Sequence, residues 1–310
     1  MTQRVLVTGA GGFLGRHICR YFGERGYLVA AVGRFSTTVE GSQEYPNLWR
    51  FCGMTLPDQA FVKAVREFQP TLVVHAAGTA SVPDSVKEPY RDFQNTVEVC
   101  AFVLETLRRE CPDAFFVLLS SASVYGNPES LPIHETAACR PISPYGYHKR
   151  ICELLAEEYR ALHGLKGAIL RIFSAYGEHL RKQVVYDLCR KISEPASETV
   201  EVYGTGNESR DFIHAEDVAQ AIERIAEADA QGTFNVASGS QTTIRDLIGL
   251  IQSACNVEKR IDFSGEIRQG DPLNWQADIS RLARLGFRPR MDLPTGVDHF
   301  CRWYLGKHEV

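Results

Sequence analysis

The most constraining feature of this chain lies near its N-terminus. Val5-Leu6-Val7 is a short apolar run of strand type, and it leads straight into Thr8-Gly9-Ala10-Gly11-Gly12-Phe13-Leu14-Gly15. An amphipathic helical pattern follows to about Arg25. Gly26 then supplies a helix stop, and Leu28-Val29-Ala30-Ala31-Val32 reads as the next strand. Strand, glycine-rich turn, helix and strand in this order form a parallel β-α-β unit. Glycines at 9, 12 and 15 let backbone N–H groups and a helix N-terminus come close to a pyrophosphate. The pattern predicts a dinucleotide site built on Gly9, Gly12, Phe13, Leu14 and Gly15. The competing reading is a glycine-rich turn with no ligand.

The second strand ends Val32-Gly33-Arg34-Phe35-Ser36. An acid at this place would bind the ribose diol of NAD, whereas an arginine suits a 2′-phosphate. Arg34 and Ser36 are therefore expected to contact a phosphate. This favours NADP(H), with NAD(H) as the alternative. Leu72-Val73-Val74 is another buried strand, ending in His75-Ala76-Ala77-Gly78. The small residues Ala76, Ala77 and Gly78 let backbone lie against a cofactor, and His75 reads as structural. Residues 89–109 read as one long helix with Pro89 in its first turn, an apolar face including Val97, Ala101 and Leu104, and one polar residue, Asn95.

At the centre, Phe115-Phe116-Val117-Leu118-Leu119 is a buried strand that delivers Ser120-Ser121-Ala122-Ser123 at its carboxyl end. Tyr145-Gly146-Tyr147-His148-Lys149 opens a helix over about 145–162. Its phenol and ammonium lie on one face, one turn apart. A hydroxyl, a phenol and a cation make a proton-transfer set. Strand and helix patterns alternate as far as Phe173, which predicts a doubly wound parallel sheet. After that the pattern changes. A second, smaller region is expected from discontinuous pieces: residues 1–174 plus about 212–237 form the first domain, and about 175–211 plus 238–310 the second.

Composition narrows the partners. The 310 residues are 44% hydrophobic with a formal net charge of −4, which argues against nucleic acid or an anionic membrane. No apolar run approaches the ~20 residues of a membrane span. The start carries no signal-peptide pattern, so a cytoplasmic protein is expected. Nine scattered cysteines without a CxxC pair read as reduced thiols. No Cys/His spacing suits zinc, so no metal is expected.

The motifs together resemble the extended short-chain dehydrogenase/reductases, and within them the nucleotide-sugar epimerase/dehydratase group. They are Thr8-Gly9-x-x-Gly12-x-x-Gly15, His75-Ala76-Ala77, Ser121-Ala122-Ser123-Val124-Tyr125-Gly126 and Ser143-Pro144-Tyr145-x-x-x-Lys149. Arg171-x-Phe173 before Tyr176-Gly177 and Arg210-Asp211-Phe212-Ile213-His214-x-x-Asp217-Val218 complete the set. The resemblance spans nearly the whole chain. It implies a Rossmann-type sheet with a smaller C-terminal substrate-binding domain. Tyr145 would exchange a proton with a sugar hydroxyl, Lys149 would bind the nicotinamide ribose and favour the phenolate, and Ser121 would bond the reacting oxygen. Asn95 resembles a position supporting a water relay beside the cofactor. Arg210 and Arg268 resemble residues gripping a nucleotide diphosphate, Asp271 a ribose contact, and Val202 with Tyr203 a base contact. Ser81, Ser123 and Ser174 fall at substrate positions, although Ser174 stands where Asn often follows Arg-x-Phe.

Departures from the family pattern select the reaction. Its 4,6-dehydratases carry acids directly after the catalytic hydroxyl, where this chain has Ala122 and Ser123. The fucose-synthase type needs a Cys where Ser123 stands, which leaves His179 as a pocket or surface residue. Two enzymes remain: an NADP(H)-dependent 4-ketoreductase of a nucleotide-linked 4-keto-sugar, favoured through Arg34, and an NAD-dependent 4-epimerase. A non-catalytic dinucleotide sensor is the third reading. Relatives pair as homodimers through a four-helix bundle, for which the helices at about 89–109 and 145–162 are candidates. Ile151, Leu155 and Tyr159 would form that seam or face the chain's own sheet.

Overall fold

The computed structural model describes residues 3–34, 46–266 and 272–306. The chain opens with β1 (Arg4–Thr8), α1 (Phe13–Glu24) and β2 (Leu28–Gly33). β3 (Leu48–Gly53) and α2 (Gln59–Phe68) precede β4 (Leu72–His75). Short helices α3 (Val82–Lys87) and α4 (Pro89–Phe93) pass through a π-helical turn, Gln94–Glu98, into α5 (Val99–Glu110). Then come β5 (Phe115–Ser121), α6 (Pro144–His163) and β6 (Gly167–Ile172). The remainder runs β7 (Ser174–Tyr176), α7 (Gln183–Ser193), β8 (Thr199–Val202), β9 (Ser209–His214), α8 (Ala215–Glu227) and β10 (Gly232–Val236). It ends with β11 (Gln241–Thr243), α9 (Ile244–Cys255), β12 (Arg260–Phe263), α10 (Ser280–Ala283) and α11 (Leu293–Gly306).

Seven strands form one parallel sheet in the order β10-β6-β5-β4-β1-β2-β3. This is the doubly wound, Rossmann-type sheet that the alternating pattern predicts. Order reverses between β1 and β4, and a crevice opens outside the carboxyl ends of such a pair. Both faces of the sheet are covered. Ile18 and Phe22 of α1 pack with Val218 and Ile222 of α8 on one face, and Phe61, Val65, Leu104 and Leu107 of α2 and α5 on the other. This double burial explains why the strands read as continuous apolar runs rather than alternating ones.

The later segments build two small sheets, β11-β9-β7 and β12-β8, around a third apolar cluster that includes Leu188, Ile251 and Phe300. Thr243 caps α9 through the Asp246 N–H, as its capping-box pattern predicts. Residues 272–279 run back across the molecule. Trp275 Nε1 donates to the Gly126 carbonyl at 3.1 Å, and Asp211 accepts from the N–H groups of Ser238, Gly239 and Ala277.

Two readings of the sequence change. The helix expected over 89–109 is interrupted by the π-helical turn that contains Asn95. Ile151, Leu155 and Tyr159 pack against the chain's own second core, while Tyr90, Tyr147, Leu154 and Leu162 are the exposed apolar side chains of α4 and α6. Among the described residues no helix is long and apolar enough to cross a membrane, and all nine cysteines are free thiols.

Candidate active site

The site begins at the β1–β4 switch point. Gly9 has φ +70°, and a Cβ there would fall 2.6 Å from the Ala77 backbone nitrogen. A Cβ on Gly15 would lie 2.2 Å from the Gly9 carbonyl oxygen. The turn after β1 is thus pressed against both the turn after β4 and α1, and only glycine fits. Thr8 clamps the two turns: its hydroxyl lies 2.8 Å from His75 Nδ1 and accepts from the Ala77 N–H at 3.3 Å. Burial, aided by the Lys149 charge, pushes His75 down to about 3, so its ring is neutral and structural.

Gly12 is the N-cap of α1, and no side chain caps that terminus. Its first-turn N–H groups are donors suited to an anion. Phe13 and Leu14 open the helix and are half-buried. Ala76 and Ala77 are half-buried beside this turn, and Gly78 is exposed. The residues present therefore fit a dinucleotide pyrophosphate. Arg34 is exposed at the end of β2, and Ser36 lies outside the described residues.

β5 and α6 carry the candidate reactive groups. Ser143 caps α6 by accepting from the Gly146 N–H, and Pro144 occupies its first turn, so Tyr145 and Lys149 sit on successive turns. Lys149 is buried and donates to the Leu119 carbonyl at 3.0 Å. Its ammonium lies 5.9 Å from the centre of the Tyr145 ring. The Tyr145 backbone N–H donates to Ser85 Oγ at 3.1 Å, which ties α6 to α3. Ser121 is half-buried at the end of β5, and its hydroxyl accepts from the Ser123 N–H at 3.2 Å. Ser123 Oγ is buried without a protein partner, an unmet hydrogen bond that a bound molecule can satisfy. Asn95 is exposed, with its carbonyl near Gly78.

Beneath these residues runs a buried polar network that the sequence reading missed. The Glu153 carboxylate, with no exposed surface, accepts from Ser120 Oγ at 2.6 Å, Arg171 Nη2 at 2.8 Å and Arg150 Nη1 at 2.8 Å. Arg171 also donates to the Tyr125 hydroxyl, which donates to Asn235 Oδ1 at 2.7 Å. β5, β6, β10 and α6 are thereby locked together immediately behind Ser121 and Lys149. The sequence signal was an acid one helical turn past Lys149. A second tie joins His148 to Asp92, which also accepts from Thr79.

The other predicted residues are more dispersed. Ser81 caps α3, and Ser174 is half-buried in β7. Val202 is buried in the apolar core of the smaller region, whereas Tyr203 is exposed. Arg210 lies half-buried on β9, donates to the Ser209 and Leu273 carbonyls and sits 5.7 Å from the Trp275 ring. Arg268 and Asp271 lie outside the described residues. His179 has φ +68° and its ring is 5.4 Å from that of Trp303.

With this geometry in place, comparison with known proteins is decisive for the family. The profile of the NAD-dependent epimerase/dehydratase family matches residues 5–237. The chain belongs to this family. It is an NAD(P)-dependent oxidoreductase or epimerase of the extended short-chain dehydrogenase/reductase type. A UDP-glucose 4-epimerase of Rhizobium meliloti is 26% identical over 99% of this chain and 98% of its own length. The solved UDP-N-acetylglucosamine 4-epimerase of Methanobrevibacter ruminantium, in complex with UDP-N-acetylmuramic acid, superposes with TM-score 0.88 at 29% identity, covering 99% of this chain and 100% of that one. The Thermus thermophilus UDP-glucose 4-epimerase complex with NAD gives TM-score 0.87 at 28% identity, covering 98% and 99%.

Proposed function

We propose that this family member is an NAD-dependent 4-epimerase of a UDP-linked sugar. The reading is carried by Tyr145 and Lys149 on successive turns of α6, with the Lys149 ammonium on the Leu119 carbonyl near the end of β5, and by Ala122 and Ser123 where a dehydratase needs acids. The likeness to 4-epimerases, one of them a complex with NAD, supports the same conclusion. This replaces the expected NADP(H)-dependent 4-ketoreductase, to which these relatives lend no support.

Gly9, Gly12, Phe13, Leu14 and Gly15 would hold the cofactor with Ala76, Ala77, Gly78, Asn95 and Lys149. NAD, when bound, takes up and returns a hydride at sugar C4. Tyr145 accepts the C4 hydroxyl proton as that carbon is oxidised. It gives the proton back once the keto-sugar has turned its other face. Ser121 hydrogen-bonds the same oxygen. Lys149 spends one of its three donors on Leu119 and keeps the others for a ribose. Arg210 and Tyr203 would meet the nucleotide. In this division, residues 1–174 with about 212–237 serve the dinucleotide, and 175–211 with 238–310 serve the sugar nucleotide. The exposed apolar side chains of α4 and α6 suit a homodimer through a helix bundle, and the free thiols suit a cytosolic setting.

Arg34, with no acid at the end of β2, is the observation that keeps the NADPH-dependent ketoreductase as the second reading. The test is to denature the purified protein, identify the released dinucleotide, and follow UDP-glucose and UDP-N-acetylglucosamine by NMR. Co-purifying NAD and C4 inversion without added cofactor are expected. Cofactor-free protein that turns over a 4-keto-sugar only with NADPH would overturn the epimerase.

A further inference from the structure

Three cysteines converge far from Tyr145. Cys189 comes from the middle of α7, Cys255 is the last residue of α9, and Cys301 lies in α11. Their sulfur atoms all lie within 4.8 Å of one another, and the Cys189 and Cys301 sulfurs are 3.8 Å apart. Among the described residues no other group of three His, Cys, Asp or Glu donors comes this close. The positions are 112 residues apart at the extremes, so spacing in the sequence hides them.

The geometry suits a metal better than it suits packing alone. A metal–thiolate bond of about 2.3 Å in tetrahedral array places sulfurs about 3.8 Å apart along each edge. Small rotations of side chains already within 4.8 Å reach that edge. Cys189 and Cys301 have no exposed surface, and Cys255 is half-buried at a helix end, which leaves one approach from solvent. Ser193 Oγ is 3.7 Å from the Cys255 sulfur. The surrounding side chains are apolar, including Leu188, Ile192, Ile251, Val297 and Phe300. A pure sulfur set in such a shell selects soft cations over Mg²⁺ or Ca²⁺.

We propose that Cys189, Cys255 and Cys301 form a thiolate site for a soft divalent cation of the zinc and cadmium type, stapling α7, α9 and α11. Each coordinating thiol loses its proton to solvent as the metal–sulfur bond forms. The site is independent of the epimerase reading and needs no change at Tyr145.

The test uses the reduced, metal-free full chain titrated with Cd²⁺. One saturable equivalent, a thiolate-to-cadmium charge-transfer band, proton release and a raised melting temperature are expected. The cadmium NMR shift counts the sulfur ligands without any mutation. Cys255→Ser, at a partly exposed helix end, should weaken binding by more than the ~10–100-fold of an outer-shell change. Cys139→Ser, in the other half of the molecule, should leave it unchanged. Absence of stoichiometric binding, a shift reporting fewer than three sulfurs, or equal binding by Cys255→Ser would overturn the proposal and leave three ordinary core thiols.

Discussion

Ser121, Tyr145 and Lys149 stand in a different part of the fold from Arg210 and Tyr203. The first three stand on one strand end and one helix start: the Lys149 ammonium donates to the Leu119 carbonyl, the Tyr145 backbone N–H donates to Ser85 Oγ, and Ser121 Oγ accepts from the Ser123 N–H. Behind them the Glu153–Arg171 pair joins three strands to α6. Arg210 and Tyr203 belong instead to the smaller region: Arg210 is half-buried on β9 and donates to the Ser209 and Leu273 carbonyls, and Tyr203 follows β8 and is exposed. Proton transfer tolerates little error in position, which suits groups seated where α6 meets the end of β5. Contacts to a nucleotide can be spread over many polar groups.

The sharpest way to break this contrast is at Tyr145. Tyr145→Phe should lower turnover by about 10²–10⁴-fold while cofactor binding and melting temperature stay near wild type. A comparable loss of cofactor would mean that the phenol is a structural group. Glu153→Ala tests the support behind it. Removing the carboxylate leaves Arg171 buried and uncompensated, so stability should fall by about 3–5 kcal/mol in denaturant unfolding. A loss no larger than that of an exposed pair such as Arg140–Glu129 would show the network to be incidental.

His75 sharpens the same side through pH. Its folded-state value is depressed from 6.5 to about 3, so between these limits the unfolded chain binds a proton that the folded chain excludes. This contribution is fully present above 6.5 and is lost as pH falls toward 3, on the order of 5 kcal/mol over the window. His75→Asn should therefore flatten the acid limb of stability against pH. In the smaller region, Arg210→Ala should raise KM for a UDP-sugar by about 10–100-fold with kcat little changed, the loss of charge-assisted hydrogen bonds. A fall in kcat instead would place Arg210 among the positioning groups.

Much of the chemistry side is legible in the sequence because its signals are short-range. Gly15 answers to a local clash with Gly9, and Tyr145 and Lys149 share a face because four residues make about one helical turn, whereas Gly9 answers to the Ala76–Ala77 turn far along the chain. The long helix over 89–109 was legible too, except for the π-helical turn at Asn95, which no local pattern announces. Arg34 shows the opposite case. An arginine at a strand end suggests a phosphate, yet the side chain is exposed and the NAD-bound relative shares this fold.

Read alone, the amino-acid order establishes the β-α-β start, the alternating sheet, the pairing of Tyr145 with Lys149 on one helix face and the missing dehydratase acids. Each depends on neighbours within a turn or a strand, where steric and hydrogen-bonding rules act directly. Folding in three dimensions adds the placement of β10 beside β6, the choice of Glu153 as partner for Arg171, and the meeting of Cys189, Cys255 and Cys301. Those outcomes join positions distant in the chain. They arise because burying several apolar faces at once brings particular polar groups together, and a buried charge or donor must then find its partner there.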